Sequence, residues 1–316
     1  MKRILVLGGT GFVGRSVCEQ LTERRRDGCV TVPTRRLAHG HAVQMLPTVR
    51  LEEASVHDDA ALRRLVAGSD AVINLVAILH GSSAAFEQVH VALPRRLAQA
   101  CADTGVRRLV HISALGVSAD APSNYLRSKA AGEAALKAAG LELTVLRPSV
   151  IFGSADRFLN LFAQLQALAP VLPLAGSGAR FQPVWVEDVA RAAVAALDRP
   201  DSIGQTLECA GPEVFTLADL VRLAGRWSGH ERPQIALPEW AGRLQAALME
   251  WLPGEPLMSR DNIDSMRVPN IAGGALPGLA ALGITPTALL AVAPGYLSRH
   301  KGVTRLDRWR MGAGRE

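Results

Sequence analysis

The sequence contains few aromatic residues and few cysteines. Phe, Trp and Tyr together make up 4% of its 316 residues, and the chain has two tyrosines and four cysteines. The cysteines lie far apart, without the paired spacing of a zinc site, so we expect buried thiols in a reducing compartment. The eight histidines show no ligand spacing either. We therefore expect no metal.

Long apolar runs are also absent. No stretch approaches the length of a membrane-spanning helix. Residues 1–4 lead directly into the first predicted strand, which leaves no room for a cleaved signal. These observations favour a cytoplasmic protein.

Basic residues exceed acidic ones, and the formal net charge is +6. Much of the excess lies in residues 24–26, in residues 35–36 and in the tail from residue 299 onward. An anionic cofactor and an anionic membrane surface explain this distribution better than a nucleic-acid groove, which would interleave aromatic side chains. We expect no nucleic-acid partner, and a peripheral position on the cytoplasmic face of a membrane stays open.

Strand-like and helix-like patterns alternate through the first half of the chain. Such repeated crossovers predict an α/β fold with a doubly wound parallel sheet. We expect residues 1–150 to form this domain, residues 181–209 to return to it, and residues 151–180 and 210–316 to form a smaller substrate lobe. The predicted strands include residues 4–7, 29–34, 48–51, 70–76, 108–113, 142–147, 181–186 and 205–209, and the predicted helices include 83–103, 124–139 and 188–197.

A glycine-rich turn follows the first predicted strand. Gly8 allows a tight turn, and Gly11 lets a diphosphate approach the backbone amides at a helix N-terminus. Gly14 lets the helix pack closely on the strand. A turn that binds nothing is the alternative, but the strand–turn–helix context favours a Rossmann-type dinucleotide site. The residues expected to contact the cofactor here are Gly8, Gly9, Thr10, Gly11, Phe12, Val13 and Gly14.

The second predicted strand ends in arginines rather than in a carboxylate. A carboxylate at this point would bind the ribose 2′-hydroxyl of NAD(H). Arg35 and Arg36 instead suit the 2′-phosphate of NADP(H), through charge-assisted hydrogen bonds. Two solvated arginines in a surface loop are the alternative. The sequence favours NADP(H) over NAD(H).

Tyr125 and Lys129 form a second chemical signal. Residues four apart lie on one face of a helix, and a lysine ammonium beside a phenol lowers the pKa of that phenol. A tyrosine prepared in this way gives or takes the proton of a carbonyl or alcohol group. An accidental pair on a solvated helix is the alternative.

Together with Asn74 and the Leu-Arg-Pro sequence at residues 146–148, these motifs resemble the extended and atypical short-chain dehydrogenases/reductases, a superfamily with epimerase/dehydratase-like members. The resemblance covers nearly the whole chain. Within the superfamily the sequence looks most like the branch of the dehydrogenase-like accessory subunit of respiratory complex I. The segments that carry this similarity are 74–79, 112–116, 125–129 and 181–189.

The resemblance implies a role for each matching residue. Tyr125 would be the general acid/base, and Lys129 would bind ribose and lower the pKa of Tyr125. Relatives place a serine or threonine beyond the fifth strand, where Leu115 stands here; Ser113 either substitutes for it or merely faces the cofactor. Ser55 stands where relatives have an aspartate that binds adenine. The further cofactor contacts implied are Ser55, Val56, Asn74, Val76, Ala77 and Lys129.

Residues 238–252 form an amphipathic stretch. Its large apolar residues fall on one helical face, and packing on the parent lobe is favoured over contact with a membrane or a partner. These residues are Trp240, Leu244, Leu248, Trp251 and Leu252.

Two functions stay open. The first is an NADP(H)-binding oxidoreductase or epimerase-like enzyme that moves a hydride to or from a carbon bearing oxygen, in a substrate such as a quinone or a nucleotide sugar. The second is a cofactor-bound structural or regulatory component of a respiratory or quinone-synthesising assembly, with little or no turnover. The Tyr125/Lys129 pair favours the enzyme, whereas Leu115, the amphipathic stretch and the basic tail favour the assembly component.

Overall fold

The computed structural model describes residues 1–251, 254 and 256–298. Leu252 and the basic tail from residue 299, both part of the sequence predictions, lie outside this range. The strands are β1 (Arg3–Leu7), β2 (Cys29–Thr34), β3 (Val49–Glu53), β4 (Ala71–Asn74), β5 (Arg108–Ile112), β6 (Glu142–Pro148), β7 (Ile151–Phe152), β8 (Leu172–Ala175), β9 (Arg180–Phe181), β10 (Val184–Trp185), β11 (Thr206–Cys209), β12 (Phe215–Thr216) and β13 (Gln234–Leu237).

Seven of these strands form a central sheet in the order β11-β6-β5-β4-β1-β2-β3, and all of its neighbouring strands are parallel. The strand order reverses direction between β1 and β4, so the crossovers cover both faces of the sheet. Strands that are buried on both faces do not alternate between apolar and polar residues. Residues 4–7 and 71–73 are such continuous apolar runs, and each residue in them is at most 1% exposed. The predicted doubly wound α/β fold of the Rossmann type is confirmed.

Helices cover both faces of the sheet, and further helices pack together in smaller clusters outside it. Besides short 3-10 turns and a π-helical turn at Glu87–Ala92, the helices are α1 (Phe12–Arg24), α2 (His41–Gln44), α3 (Asp59–Ala67), α4 (Ser83–Phe86), α5 (Leu93–Thr104), α6 (Asn124–Lys137), α7 (Leu159–Leu168), α8 (Val186–Asp198), α9 (Leu217–Ser228), α10 (Glu239–Glu250), α11 (Arg260–Ser265) and α12 (Leu289–Leu297).

Two hydrophobic cores lie on opposite faces of the central sheet. One joins the strands to α1 and α8, and the other joins them to α3, α5 and α6. Helix α8 and strand β11 both come after residue 180, and β11 extends the sheet beside β6. The edge strand predicted at residues 205–209 is therefore present.

The helix predicted over residues 83–103 is present as an unbroken helical run over residues 83–104, in which the π-helical turn Glu87–Ala92 lies between α4 and α5. Pro94 has no N–H with which to bond the carbonyl of His90, four residues earlier. Gly132 of α6 packs against that carbonyl so closely that a Cβ at position 132 would lie 2.0 Å from its oxygen. The distorted turn thus brings α6 close to the segment that follows β4.

The strand predicted over residues 181–186 is wrong, since the chain forms two short strands with different partners. Strand β9 pairs antiparallel with β12, and β10 pairs parallel with β7. Pro183 lies between them and cannot donate to a strand ladder. Gln182 instead donates its backbone N–H to the Asn270 carbonyl (3.0 Å) and its side-chain amide to the Gly211 carbonyl (2.7 Å).

Helix α10 turns its large apolar residues toward solvent. Small residues of α10 pack on the lobe instead, and a Cβ at Gly242 would lie 2.6 Å from the Cβ of Ala175. The expectation that the apolar stripe packs on the parent lobe is wrong, because such close contact admits only small side chains. Among the described residues, no helix combines the length and apolarity needed to span a bilayer. The exposed face of α10 consists of Trp240 (72% exposed), Leu244 (56%), Leu248 (62%) and, just beyond the helix, Trp251 (89%).

Candidate active and cofactor site

The turn between β1 and α1 leaves a helix N-terminus available to an anion. Gly8 has a positive φ of 84°, which favours glycine. The Gly11 N–H donates to the Gly8 carbonyl at 3.0 Å and closes the turn. Helix α1 has no side-chain cap at Gly11 and no acidic residue in its first turn. Its first N–H groups and the positive end of its dipole therefore suit a diphosphate.

Gly14 provides the close contact between α1 and the end of β1. A Cβ at position 14 would lie 2.2 Å from the Gly8 oxygen and 2.6 Å from the Gly9 Cα. At Gly11 the nearest atom to such a Cβ is the Gly8 oxygen, at 3.2 Å. Glycine is thus required at position 14 by packing, whereas little in the protein itself requires it at position 11.

Arg35 and Arg36 follow β2 and are both exposed. Within the described residues, neither guanidinium has a carboxylate within ion-pair distance. Burial lowers the pKa of His57, and the positive charges of Arg96 and Arg35 lower it further. Arg35 therefore lies near the loop after β3, where the Ser55 hydroxyl accepts the N–H of His57 at 3.3 Å. Arg35 and Arg36 thus place two cations after the carboxyl end of β2, with Arg35 near this loop.

Asn74, at the end of β4, is only 1% exposed. Its side-chain nitrogen lies 3.2 Å from Nδ1 of the buried His111, and its side-chain oxygen accepts the N–H of Val76 at 3.2 Å. Asn74 therefore shapes the loop that carries Val76 and Ala77. A Cβ at Gly8 would lie 3.2 Å from the backbone of Leu75, so this loop also lies against the glycine turn.

Tyr125 lies in the first turn of α6 and is half-buried. Its ring makes edge contacts with Phe86 and His90, at centroid distances of 6.2 and 5.5 Å. Its backbone N–H donates to the carboxylate of Asp261 at 3.0 Å. Burial raises the pKa of Tyr125 to about 12, so the phenol keeps its proton at neutral pH.

Lys129 lies one helical turn after Tyr125 and is 2% exposed. Its Nζ donates to the Ile112 carbonyl at the end of β5, at 2.8 Å. Burial lowers the pKa of Lys129 to about 8, although the carboxylate of Glu133 acts in the opposite direction. The expected lowering of the Tyr125 pKa by Lys129 is not seen, because the ammonium is held by the strand and desolvation dominates the phenol.

Ser113 is 4% exposed and lies beside Glu133 on the inner face of α6. Burial alone would raise the pKa of Glu133, but the hydrogen bonds from Arg147 and the charges of Arg147 and Lys137 hold that pKa below its usual range. Glu133 is about two helical turns from Tyr125. The buried Ser113 hydroxyl has no hydrogen-bond partner among the described residues. Leu115 is 1% exposed and belongs to the core.

His90 joins the loop after β4 to α6, and sequence reasoning missed it. The Ile78 N–H donates to His90 Nε2 at 3.1 Å, so the proton of the neutral ring lies on Nδ1 and is donated to the Ser128 hydroxyl at 2.9 Å. Ser128 in turn donates to the Tyr125 carbonyl at 2.8 Å. Burial, followed by the charge of Lys129, lowers the pKa of His90 to about 3 and keeps the ring neutral. Pro94 was the sequence signal for the distortion that places His90 here.

An apolar cluster packs beside Tyr125, whose ring also contacts the His90 ring. Its side chains come from the loop after β5, from α6 itself and from the segment after α11, and a Cβ at Gly116 would lie 3.1 Å from Val268. The surroundings of Tyr125 are thus largely apolar. The members of this cluster are Ala114, Val117, Ala121, Leu126, Ala130 and Val268.

Comparisons with known proteins agree with this geometry. Residues 4–210 match the NAD dependent epimerase/dehydratase family. The chain is 34% identical over 307 residues to NADH dehydrogenase [ubiquinone] 1 alpha subcomplex subunit 9, mitochondrial, of Mus musculus, covering 94% of this chain and 80% of that protein. It is 29% identical over 238 residues to ceramide reductase of Caulobacter vibrioides, covering 75% of this chain and 74% of that protein. A solved nucleoside-diphosphate-sugar epimerase from Staphylococcus aureus shares the fold, with a TM-score of 0.73, 17% identity, and coverage of 94% of this chain and 100% of that chain.

Proposed function

The chain belongs to the NAD-dependent epimerase/dehydratase family, and we propose that it is an NADP(H)-dependent oxidoreductase that moves a hydride between the nicotinamide and a carbon bearing oxygen. Membership confirms the inferred resemblance and the coenzyme class, a nicotinamide dinucleotide. The observation that carries the proposed reaction is the pair Tyr125 and Lys129, one turn apart on α6, at the carboxyl edge of the sheet where the glycine turn also lies.

The choice of NADP(H) is supported by charge. Arg35 and Arg36 are exposed at the end of β2, and their guanidiniums are not used by carboxylates of the described residues. A 2′-phosphate offers two or three acceptor oxygens to such a pair. When bound, the coenzyme supplies the hydride, while the protein supplies position and charge.

Tyr125 acts on the substrate oxygen in this proposal. A phenol with a pKa of about 12 keeps its proton at neutral pH, so it suits donation to a carbonyl oxygen that is being reduced. Lys129 holds α6 against β5 through the Ile112 carbonyl and adds a nearby positive charge. This arrangement favours reduction of a carbonyl over oxidation of an alcohol.

The surroundings of Tyr125 support a choice of substrate class. Its neighbours Phe86, Val117 and Val268 are apolar, and the His90 ring that also contacts it is neutral. A nucleotide sugar requires cations for its diphosphate, whereas a quinone or another apolar carbonyl compound requires few polar partners. We propose an apolar carbonyl compound rather than a nucleotide sugar.

The test compares wild type with Tyr125→Phe in NADPH oxidation assays on quinones, apolar ketones and nucleotide sugars. Removing the proton donor is expected to lower kcat/KM by about 100-fold or more while NADPH affinity stays unchanged. Tyr296→Phe is the matched control, because Tyr296 is the second tyrosine of the chain and donates to Asp156 in the small lobe. Equal rates for wild type and Tyr125→Phe contradict the proposed reaction.

A second candidate function is an NADPH-bound structural component of a respiratory assembly on the cytoplasmic face of a membrane. The exposed face of α10 favours it, since Trp240, Leu244 and Leu248 of the helix and Trp251 just beyond it are exposed to solvent. The relative from Mus musculus, at 34% identity, is named as a subunit of mitochondrial NADH dehydrogenase. The buried Leu115 in place of a catalytic hydroxyl agrees with slow turnover.

Membrane fractionation tests this second candidate. Replacing Trp240 and Leu244 with Gln is expected to move the protein from the membrane fraction to the soluble fraction. Leu168→Gln is the control, because Leu168 is 86% exposed but lies outside α10. Identical fractionation of all three proteins contradicts a role for the exposed face of α10.

A further inference from the structure

The first turn of α6 is held by a carboxylate of the small lobe. Asp261, in α11, accepts the backbone N–H of Asn124 through Oδ1 at 2.7 Å and that of Tyr125 through Oδ2 at 3.0 Å. The Ser123 hydroxyl caps the next free N–H, that of Leu126, at 3.2 Å. Three of the N–H groups that open α6 are therefore bonded, two of them by a residue 136 or more positions away.

We propose that Asp261 is a positioning residue for Tyr125, through which the small lobe sets the place of the phenol in the cleft. This inference rests on the proposed function, in which Tyr125 donates the proton. Asp261 bonds the backbone of Tyr125 itself, so a shift of α11 moves the first turn of α6. The negative charge also lies at the positive end of the α6 dipole, which strengthens the contact.

The position of Asp261 is fixed by the packing of α11 on α10. Glu250 of α10 accepts the N–H of Arg260 at 2.7 Å and pairs with its guanidinium at 2.9 Å. Arg243 of α10 pairs with Asp264 of α11 at 2.7 Å. The two helices thus form one unit, which carries the exposed face of α10 on one side and the contact with Tyr125 on another.

Three variants test the assignment. Asp261→Ala removes both acceptors, and Asp261→Asn keeps one acceptor oxygen without the charge. Asp219→Asn is the matched control, because it changes a carboxylate at the start of another helix, α9, whose bonds are to Thr216 and Arg222 rather than to α6 or α11. The unfolding midpoint of each variant is measured first, so that a folding defect is recognised, and Asp261→Asn serves if Asp261→Ala does not fold.

The readouts are amide exchange at Asn124 and Tyr125 and the ring ¹³C resonances of labelled tyrosine. The second tyrosine, Tyr296, is an internal reference. We expect exchange at both amides to be about fivefold faster in Asp261→Ala, as for loss of an N-cap, with Asp261→Asn between it and wild type. The Tyr125 ring resonance should shift in the Asp261 variants and stay in place in Asp219→Asn, while the Tyr296 resonance stays unchanged in the Asp261 variants.

Turnover separates this inference from the proposed function. In the carbonyl reduction assay, Asp261→Asn should lower kcat while KM for NADPH stays the same, because the glycine turn is untouched. Unchanged exchange at Asn124 and Tyr125, or an unmoved Tyr125 ring resonance, overturns the inference. If the resonance shifts but Tyr125→Phe turns over like wild type, the positioning contact stands and the proposed reaction fails.

Discussion

Replacing Gly14 with alanine tests the packing of α1 on the end of β1. The added Cβ would lie 2.2 Å from the Gly8 oxygen and 2.6 Å from the Gly9 Cα. Both are backbone atoms and cannot rotate away, so we take the upper end of the overpacking cost, about 3 kcal/mol. Alanine regains about 1 kcal/mol in helix propensity. The free energy of unfolding should therefore fall by about 2 kcal/mol, which lowers Tm by about 4 °C in a chain of this size.

Gly11→Ala is the matched variant with the opposite expectation. Its Cβ would meet only the Gly8 oxygen, at 3.2 Å, and the φ of −76° at Gly11 is open to any residue. The free energy of unfolding should change by less than about 1 kcal/mol. The methyl group would instead stand where a diphosphate approaches the N-terminus of α1, so NADPH affinity should fall by about tenfold or more.

Two measurements separate these effects. Urea unfolding without coenzyme gives the change in stability, and calorimetric titration with NADPH gives the dissociation constant. Equal stability losses in Gly14→Ala and Gly11→Ala would refute the packing argument. Wild-type NADPH affinity in Gly11→Ala would refute the placement of the diphosphate at this turn.

Three further predictions concern charge. Changing Arg35 and Arg36 to Gln should weaken NADPH binding by about tenfold in calorimetry and leave NADH binding unchanged, since exposed charge-assisted bonds are of modest strength. Glu133→Gln leaves Arg147 without its carboxylate and should lower the free energy of unfolding, measured in urea at pH 7, by about 3 kcal/mol. Because the pKa of Glu133 is depressed in the folded protein, the difference in unfolding free energy between wild type and Glu133→Gln should shrink as pH falls below the usual glutamate range. The pKa of His90 is lowered to about 3 in the folded protein, so between pH 6.5 and 4 only the unfolded chain takes up a proton at this residue. The free energy of unfolding should therefore fall as pH falls through this range. In His90→Gln the pH dependence of the unfolding free energy should be weaker by the uptake of about one proton.

Each of these changes has a control of the same chemistry. Arg26→Gln alters an exposed arginine before β2, at the opposite end of that strand. Glu231→Gln breaks a solvent-exposed pair with Arg226 and should cost little. His39→Gln changes an exposed histidine. An effect that is as large in the control as in the test variant contradicts the corresponding prediction.

The sheet could be predicted from sequence because its signals are local. Strand β2 was expected with the observed bounds, and the glycine spacing predicted a turn between the first strand and a helix, where the structure has β1 and α1. Both depend on neighbours within a few residues, namely apolar runs bounded by turn residues. The same reasoning placed Tyr125 and Lys129 on one helix, since a separation of four residues fixes a shared face.

Features that depend on distant contacts could not be predicted. Pro94 signals a disturbed helix, but the π-helical turn is shaped by Gly132, which reaches it only in the folded protein. Asp261 bonds the start of α6 from 137 positions away at Asn124, and no local pattern predicts that contact. In α10, periodicity showed a large apolar stripe, yet the face that packs is set by the space beside Ala175.

The pKa of Tyr125 failed as a prediction for the same physical reason. A pair four apart fixes proximity, but it does not fix solvation, and solvation dominates here. Burial raises the pKa of the phenol to about 12 and lowers that of the Lys129 ammonium to about 8, so both groups move toward their neutral forms. A neutral phenol is a proton donor and a weak base at pH 7, as the proposed reduction of a carbonyl group requires. The buried Leu115 contributes no second hydrogen-bond donor. In the proposed reaction, the hydrogen bond between Tyr125 and the substrate oxygen therefore depends on how firmly Tyr125 is held. Asp261 holds its backbone, and His90 packs against its ring.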